Sequence, residues 1–202
     1  KEMRSYLDNG LFDSYDNFVL VEREVENGKK RVGIMIAIDL EAYNWERVRV
    51  PIRATEGTLI ERLPVRIKIR KGAPIELPHA IVLIDNPERD IIEPIYANRE
   101  ALTKLYDFEL NMGGGHIAGY KIEDAETLLN KLEGLLDKDT QIKKYGVDAG
   151  IQFAVGDGNH SIATAKVMWE ELKKSLSEEE IQNHQSRFML VEMVNLYGEG
   201  MD

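Results

Sequence analysis

The sequence predicts an α+β fold in which helices pack on a mixed, mostly antiparallel sheet. Two observations support this prediction: turn signals join short strand-like segments into hairpins, and segments with helical spacing of apolar residues are interspersed among them. The chain has 202 residues, of which 43% are hydrophobic and 31% are charged, the balance of an ordinary soluble globular protein. We expect one domain over 1–202, with two lobes at about 1–110 and 111–202 as the alternative.

The first elements are a helix and a hairpin. The chain starts without Met in what is interpreted as the end of a helix over 1–7, which favours a portion of a longer protein. Alternating apolar and polar residues predict a strand over 18–24, and Asn27-Gly28 predicts a tight turn into a second strand over 31–40. Because both faces of the second strand carry apolar or small residues, we expect both faces to be covered.

The middle of the chain predicts short elements. A continuous apolar run over 79–85 is typical of a buried central strand. A turn or one short helix is expected over 55–63, and a short helix is expected over 98–104. Further short strands are predicted at 47–50, 65–69, 105–110 and 117–122.

The C-terminal part of the chain combines helices and strands. Apolar residues at helical spacing predict a helix over 124–137 and a second helix that ends near Ser175. Ser177 is followed by three glutamates, which is the pattern of a capping box at the start of a helical turn. Strands are predicted at 151–155 and 187–196.

Composition and charge narrow the function classes. The chain has no cysteine, which excludes disulfides and thiolate metal sites and favours a reducing cytoplasm. The net charge of −10 argues against nucleic acid and anionic membranes as partners, and no apolar run approaches the roughly 20 residues that span a bilayer. Residues 47–71 depart from this balance with eight basic and two acidic residues. Such a segment favours a small anionic ligand, with a solvated face of ion pairs as the alternative.

The segment 156–161, Gly-Asp-Gly-Asn-His-Ser, is the strongest candidate for a site. It lies between a predicted strand and a predicted helix, where unpaired backbone amides and the helix dipole favour a phosphate or a carboxylate. Gly156 and Gly158 would let a ligand approach the backbone closely. A helix cap without a ligand is the alternative, since turns of this kind are common.

The polar side chains of this turn have several possible roles. Asn159 or Ser161 could cap the helix or bind the anion. His160 could donate to a phosphate oxygen or move a proton, and Asp157 could hold a metal ion or position a hydroxyl group.

The stretch FAVGDGNHSIATAK resembles the segment around the Asp-Gly-His-His-Arg motif of domain-of-unknown-function family 1015, a family of uncharacterised bacterial and archaeal proteins. The hairpin ending in GIMIAIDLEAY and the stretches RATEGTLIERL and LPHAIVLIDNP resemble the same family, in order along the chain. This sequence departs from the family pattern at three positions. Asn159 and Thr55 each stand where His is common, and Ser161 stands where Arg is common. The missing arginine removes a bidentate phosphate donor, for which Arg53, Arg62 or another basic residue of 47–71 could substitute.

The turn is also similar to the turn-plus-helix element of ParB and sulfiredoxin-like nucleotide-binding proteins, which include free-serine kinases. That resemblance implies that the turn holds the phosphates of ADP, ATP or CTP together with Mg²⁺. Glu56, close to Thr58 in the segment similar to the family's His-Glu-x-Thr, would be the base, and Asp157 would hold Mg²⁺. The implied activity is that of a kinase acting on serine or a similar hydroxy amino acid.

Two other function classes stay open. A non-catalytic module would bind a nucleotide or an anionic metabolite at the same turn, and a purely structural protein would use the turn as a cap. The glycines at 113–115, followed by His116, could form a rival anion loop, although a strand connection is the preferred interpretation. His79 is expected to be a packed or capping residue. The four histidines are too widely spaced to predict a zinc site.

Overall fold

The computed structural model describes residues 2–24, 28–46 and 48–200. Within that part of the chain nine strands form one sheet. They are β1 (Phe18–Glu24), β2 (Lys30–Asp39), β3 (Tyr43–Asn44), β4 (Ile52–Arg53), β5 (Ile81–Ile84), β6 (Thr103–Glu109), β7 (His116–Ile122), β8 (Phe153–Asp157) and β9 (Phe188–Asn195).

The strand order is β3-β4-β8-β5-β9-β2-β1-β7-β6. The pairs β1–β2, β1–β7, β2–β9, β5–β8 and β6–β7 are antiparallel. The pairs β3–β4, β4–β8 and β5–β9 are parallel. The predicted α+β fold with a mixed, mostly antiparallel sheet is therefore confirmed.

Seven α-helices accompany the sheet in the described ranges. They are α1 (Glu2–Asp8), α2 (Leu63–Arg70), α3 (Ile92–Ala97), α4 (Ala125–Gly134), α5 (Lys138–Tyr145), α6 (Asn159–Leu172) and α7 (Glu178–Asn183). Across these ranges no helix combines the length and apolar character that a membrane span requires.

The core lies between the central strands and α6. Val82, Val155 and Val191, from β5, β8 and β9, are fully buried, as is Trp169 on α6. The helix packs against α2 as well as against the core. Burial of these apolar side chains gives the largest stabilising contribution, about 1.5–3 kcal/mol for each.

The strand directions collect several chain segments at one edge of the sheet. Because β3, β4 and β8 are parallel, the residues that follow Asn44, Arg53 and Asp157 all leave the sheet at the same edge. β5 is antiparallel to β8, so the residues that precede Ile81 reach that edge too. Clefts at the carboxyl ends of parallel strands are common ligand sites.

Several sequence predictions are confirmed. The strand predicted over 18–24 is β1, and it forms the expected hairpin with β2; of the predicted turn residues, Asn27 lies outside the described residues. The buried run at 79–85 contains β5, which lies between β8 and β9. Ser177 and Glu180 form the capping box that was expected for α7.

The prediction that β2 is covered on both faces is wrong. Ile34, Ile36 and Ile38 are buried on one face, but Ala37 on the other face is exposed and Met35 is only half-buried. The Arg31–Glu192 ion pair, with an N–O distance of 2.8 Å, lies beside that second face. Small and apolar residues therefore mark a partly solvated face rather than a second core.

The strand predicted over 65–69 is also wrong, because these residues belong to α2. Apolar and basic residues alternate there, but Pro64 sits in the first helical turn, and Leu63 is buried where α2 packs on α6. Val65 and Ile69 remain exposed on the same helix. Tertiary packing thus overrides the period-two pattern.

Two smaller predictions also fail, and one helix was missed. Residues 48–50 form no strand, while Arg47 is outside the described residues. The helix expected at 98–104 is replaced by α3, which ends earlier at Ala97, by a single 3₁₀ turn and by the start of β6. α5 was not predicted, because Gln141 is the one fully buried residue among its described positions and its apolar pattern is weak.

Candidate functional site

The turn between β8 and α6 is built around Gly158. Its φ of +84° is a left-handed conformation that favours glycine. A Cβ added there would lie 2.7 Å from the Cβ of Ala80, just before β5. Gly158 occupies the N-cap position, so the alternative in which Asn159 caps the helix is wrong.

The side chain of Asn159 binds the segment after β4. Its Oδ1 accepts from the Thr55 amide at 3.1 Å, and its Nδ2 donates to Thr55 Oγ1 at 3.3 Å. Thr55 Oγ1 in turn donates to the carbonyl of Val155 in β8 at 2.5 Å. Asn159 is buried, so these bonds satisfy a polar group that would be costly to leave unpaired.

His160 makes a second connection to the same segment. Its Nε2 accepts from the Leu59 amide at 3.2 Å. The segment 55–59 is therefore held across the first turn of α6 at both of its ends. Glu56 is exposed between these two connections, and the hydroxyl of Thr58 is buried without a hydrogen-bond partner.

The backbone donors of the turn are partly used by the protein itself. The amide of Gly158 donates to Asp157 Oδ1 at 2.6 Å, and the amide of Ser161 donates to the carbonyl of Gly158 at 2.8 Å. Among the described residues, no acceptor binds the amides of Asn159 and His160. Two backbone donors consequently remain for an anion at the start of this helix.

Gly156 has a packing function in the turn. A Cβ at this position would lie 3.0 Å from Cγ of Leu83 in β5, closer than ordinary van der Waals contact. The missing side chain lets β8 and β5 pair closely at the edge of the sheet that carries the turn.

A cavity of about 390 Å³ adjoins the turn through Thr55. Its walls come from the segment that follows β3, from the last residue of β4 and from the segment that follows β4. They are Trp45, Glu46, Val48, Arg49, Arg53, Ala54, Thr55, Glu56 and Gly57. Arg53 and Glu56, both predicted as site residues, are thus brought to one cavity, whereas Arg62 is exposed at the N-terminal end of α2.

The two arginines of the cavity are held by bonds to the neighbouring backbone and to an acid. Arg53 donates from Nε to the Val50 carbonyl at 3.1 Å and from Nη2 to the Ala149 carbonyl. Arg49 forms an ion pair with Asp148 at 2.5 Å, and its side chain lies against Gly150. Positioning of this kind reduces the entropy that a guanidinium group loses when it binds a ligand.

Ser161 has a partner that the sequence did not indicate. Its Oγ lies 2.7 Å from Nε2 of His79, whose Nδ1 lies 3.0 Å from the Leu77 carbonyl oxygen. His79 was expected to be packed or to cap, but its side chain is exposed at the same edge of the sheet.

Asp157 carries a carboxylate that could contact a metal ion. The side chain is exposed, and Oδ1 is the oxygen that accepts the Gly158 amide. In the ranges 2–24, 28–46 and 48–200, no group of three or more His, Cys, Asp or Glu side chains could hold a metal. One exposed carboxylate could contact an Mg²⁺ ion whose other ligands are water and phosphate oxygens.

The opposite end of α6 is fixed by Glu41. This carboxylate accepts from Trp169 Nε1 and from Lys173 Nζ, the latter at 2.9 Å. Partial burial acts to raise the pKa of Glu41, but these two bonds and the charges of Lys166 and Lys173 together hold the pKa below its usual value. The helix that carries the turn is thus anchored at both ends.

Sequence reasoning missed four residues near the site: Trp45, Glu46, Arg49 and His79. Trp45 and Glu46 follow the two-residue strand β3, which is too short to give a strand pattern. Arg49 had been counted only as part of the basic segment. The glycines at 113–115 form a strand connection, as expected, which joins β6 to β7 at the far end of the sheet, and His116 is the first residue of β7.

Comparison with known proteins identifies a family. The family model described as "Protein of unknown function (DUF1015)" matches residues 1–202, so the chain belongs to that family. No curated protein and no solved structure gives a significant match.

Proposed function

We propose that this member of the DUF1015 family binds a nucleotide in the cavity that adjoins the β8–α6 turn. The observation that carries the proposal is the presence of Arg49 and Arg53 in one cavity of about 390 Å³, at the edge where parallel strands end. This volume is within the range of small-molecule sites, and the fork of N–H donors on a guanidinium group matches the geometry of phosphate oxygens.

The cavity has complementary parts for the components of a nucleotide. Arg49 and Arg53 would bind phosphate oxygens, and the amides of Asn159 and His160 supply further donors beside Thr55. Trp45 offers an aromatic wall on which a nucleobase could stack, a contact worth about 1–3 kcal/mol per base.

Phosphoryl transfer is a second candidate function, and Glu56 favours it. Its carboxylate is exposed at the cavity and makes no ion pair with any residue in the described part of the chain. Such a group could take the proton from the hydroxyl of a small acceptor, such as serine or a similar hydroxy amino acid. Asp157 would contact Mg²⁺, which supplies charge neutralisation on the phosphates.

Tryptophan fluorescence tests the binding proposal directly. The chain has two tryptophans, of which Trp45 lines the cavity and Trp169 is fully buried. Titration with ADP, ATP or CTP in the presence of Mg²⁺ should change the fluorescence of the wild-type protein. Trp45→Phe should abolish the signal, while calorimetry still detects binding by this variant.

Substitution of Arg49 tests whether the arginines of the cavity bind the phosphates of the nucleotide. We expect Arg49→Ala to weaken nucleotide binding at least about tenfold, since a hydrogen bond to a charged group contributes about 1.5–3 kcal/mol. Arg70→Ala is the matched control, because Arg70, the last residue of α2, pairs with Glu76 and does not line the cavity. Equal affinity in the wild type and Arg49→Ala, or no binding of any of the three nucleotides, would refute the binding proposal.

Substitution of Glu56 distinguishes nucleotide binding from phosphoryl transfer. Under the kinase proposal, Glu56→Gln keeps its affinity for the nucleotide but loses transfer of phosphate to a hydroxy amino acid, whereas Glu133→Gln, at an exposed position of α4, keeps both. If the wild type binds nucleotide but phosphorylates none of the hydroxy amino acids, the protein is a non-catalytic nucleotide-binding module.

A further inference from the structure

A serine–histidine pair lies at the first turn of α6, outside the role given above to the cavity. Ser161 Oγ is 2.7 Å from Nε2 of His79, although the two residues are 82 positions apart in the sequence. They meet because β5 is antiparallel to β8, so that the segment before β5 lies beside the segment after β8.

The contacts of the imidazole ring determine which group donates. Nδ1 of His79 lies 3.0 Å from the carbonyl oxygen of Leu77, which can only accept, so Nδ1 carries a hydrogen. In the neutral ring Nε2 then has a lone pair, and the hydroxyl of Ser161 must donate to it. A hydroxyl bound to an oriented basic nitrogen is the arrangement of a nucleophile and its general base.

The surrounding packing holds the two groups together while leaving them accessible. Gly158 and Ala80 are in such close contact that an added Cβ would lie 2.7 Å from the Ala80 side chain, which fixes the start of α6 against the start of β5. His79 is exposed and Ser161 is half-buried, so a substrate can reach both.

We infer that Ser161 is a nucleophile activated by His79 and that it takes the acyl group of a carboxylic ester. Oγ attacks the carbonyl carbon while its proton moves to Nε2. The new Oγ–C bond forms, the bond from carbon to the leaving alcohol oxygen breaks, and the alcohol takes the proton from Nε2. The unpaired amides of Asn159 and His160, in the same turn, would donate to the developing oxyanion when an ester, and not a nucleotide phosphate, occupies the turn.

Water completes the reaction. It attacks the acyl carbon and gives a proton to Nε2, the Oγ–C bond breaks, and the proton returns to Oγ as the carboxylic acid leaves. The products are one alcohol and one acid for each ester and water consumed, and no further reactant is needed.

A fluorophosphonate probe tests the nucleophile with the full chain and without nucleotide, so its result is independent of the nucleotide proposal. Attack by Oγ forms an oxygen–phosphorus bond and releases fluoride, which leaves a stable adduct. We expect one adduct per chain in the intact mass and its location at Ser161 after proteolysis. Ser161→Ala should give none, and His79→Gln should react at least about 100-fold more slowly.

Two control variants accompany this experiment. Ser175→Ala removes an exposed hydroxyl that donates to the carbonyl of Leu172, and His116→Gln removes an imidazole paired with Asp107. Both should be labelled at the wild-type rate. Mapping of the adduct on wild-type protein needs no substitution, so it decides the question even if a variant fails to fold.

Three outcomes would overturn the inference: a wild-type protein that is not labelled, an adduct that maps to another residue, and labelling of His79→Gln at the wild-type rate. The last would show that the hydrogen bond connects α6 to the segment before β5 without activating the serine.

Discussion

At the residue scale, neighbouring positions of one short turn have separate functions. Gly158 provides the left-handed backbone and the close contact with Ala80, while Asn159 binds Thr55 and Ser161 binds His79. A run of polar residues that looks like one anion site in the sequence is therefore divided among three contacts with distant segments. The unpaired amides and the nearby cavity are what remain for a ligand.

Substitution of Gly158 tests this description of the turn. Gly158→Ala should lower the free energy of unfolding by about 2 kcal/mol or more, because the alanine would be held in a left-handed conformation and would collide with Ala80. Urea titration at neutral pH measures the change.

Gly134→Ala is the matched control for that substitution. Gly134 is the last residue of α4, and a Cβ there would meet no atom within 4 Å. The free energy of unfolding of Gly134→Ala should equal that of the wild type or exceed it by up to about 1 kcal/mol. Equal stability of the two variants would contradict the packing of the turn against β5.

At the element scale, α7 shows that a local capping signal can be enough to predict where a helix begins. The helix has six residues and none is fully buried, so its stability depends on its ends more than on its packing. The hydroxyl of Ser177 accepts from the Glu180 amide at 3.3 Å, and the Glu180 carboxylate accepts from the Ser177 amide at 2.8 Å. Both bonds follow from four consecutive residues of the sequence.

Removal of the cap should loosen α7 alone. Ser177→Ala should cost about 0.5–2 kcal/mol of local stability, which corresponds to hydrogen exchange about 2- to 30-fold faster at the amides of 178–183. Mass spectrometry of the exchanged peptides gives the rates. Ser175→Ala removes a hydroxyl that donates to the Leu172 carbonyl, and it should leave the exchange of α7 unchanged. Equal acceleration in both variants would argue against the cap.

At the scale of the whole molecule, the buried Glu22 and the half-buried Asp39 join distant strands and helices. Burial acts to raise the pKa of Glu22, but hydrogen bonds from Lys30 and Tyr96 and the charges of Lys30 and Arg99 together lower it below its usual value. Burial likewise acts to raise the pKa of Asp39, yet bonds from the Arg187 side chain and the Glu41 amide, with the charges of Arg187 and Lys166, lower it. These acids are more stable as carboxylates in the folded protein than in the unfolded chain.

Acid should therefore destabilise the fold. A carboxyl group with a lowered pKa contributes its full stability above the pKa of the unfolded chain, about 4, and loses it as the pH falls through the lower folded value. The urea midpoint should be constant near neutral pH and should fall as the pH drops below about 4.

Glu22→Gln provides the variant for this measurement. It should be less stable than the wild type at pH 7, and the difference should narrow as the pH falls below about 4, because the Glu22 carboxylate takes up a proton more readily in the unfolded chain than in the folded protein. Glu133→Gln, at an exposed position, should follow the wild type at every pH. If the loss of stability in Glu22→Gln is the same at pH 7 and pH 3, the charge of Glu22 does not cause that loss.

The sequence by itself determined the elements with local signals. Alternation predicted β1, helical spacing predicted α4 and α6, the order strand–turn–helix predicted the surroundings of Gly158, and four residues predicted the cap of α7. Each of these signals lies within a few consecutive residues, where backbone conformation and side-chain periodicity are fixed by local sterics and hydrogen bonding.

Only the tertiary structure decided how the site is assembled. Thr55 and Asn159 are 104 positions apart, and Ser161 and His79 are 82 apart, so no local pattern could pair them. The packing of α2 on α6 likewise overrode an alternating pattern that favoured a strand. The physical reason is that pairing of β8 with β4 and β5, driven by burial of a shared core, brings together polar groups that have no interaction along the chain.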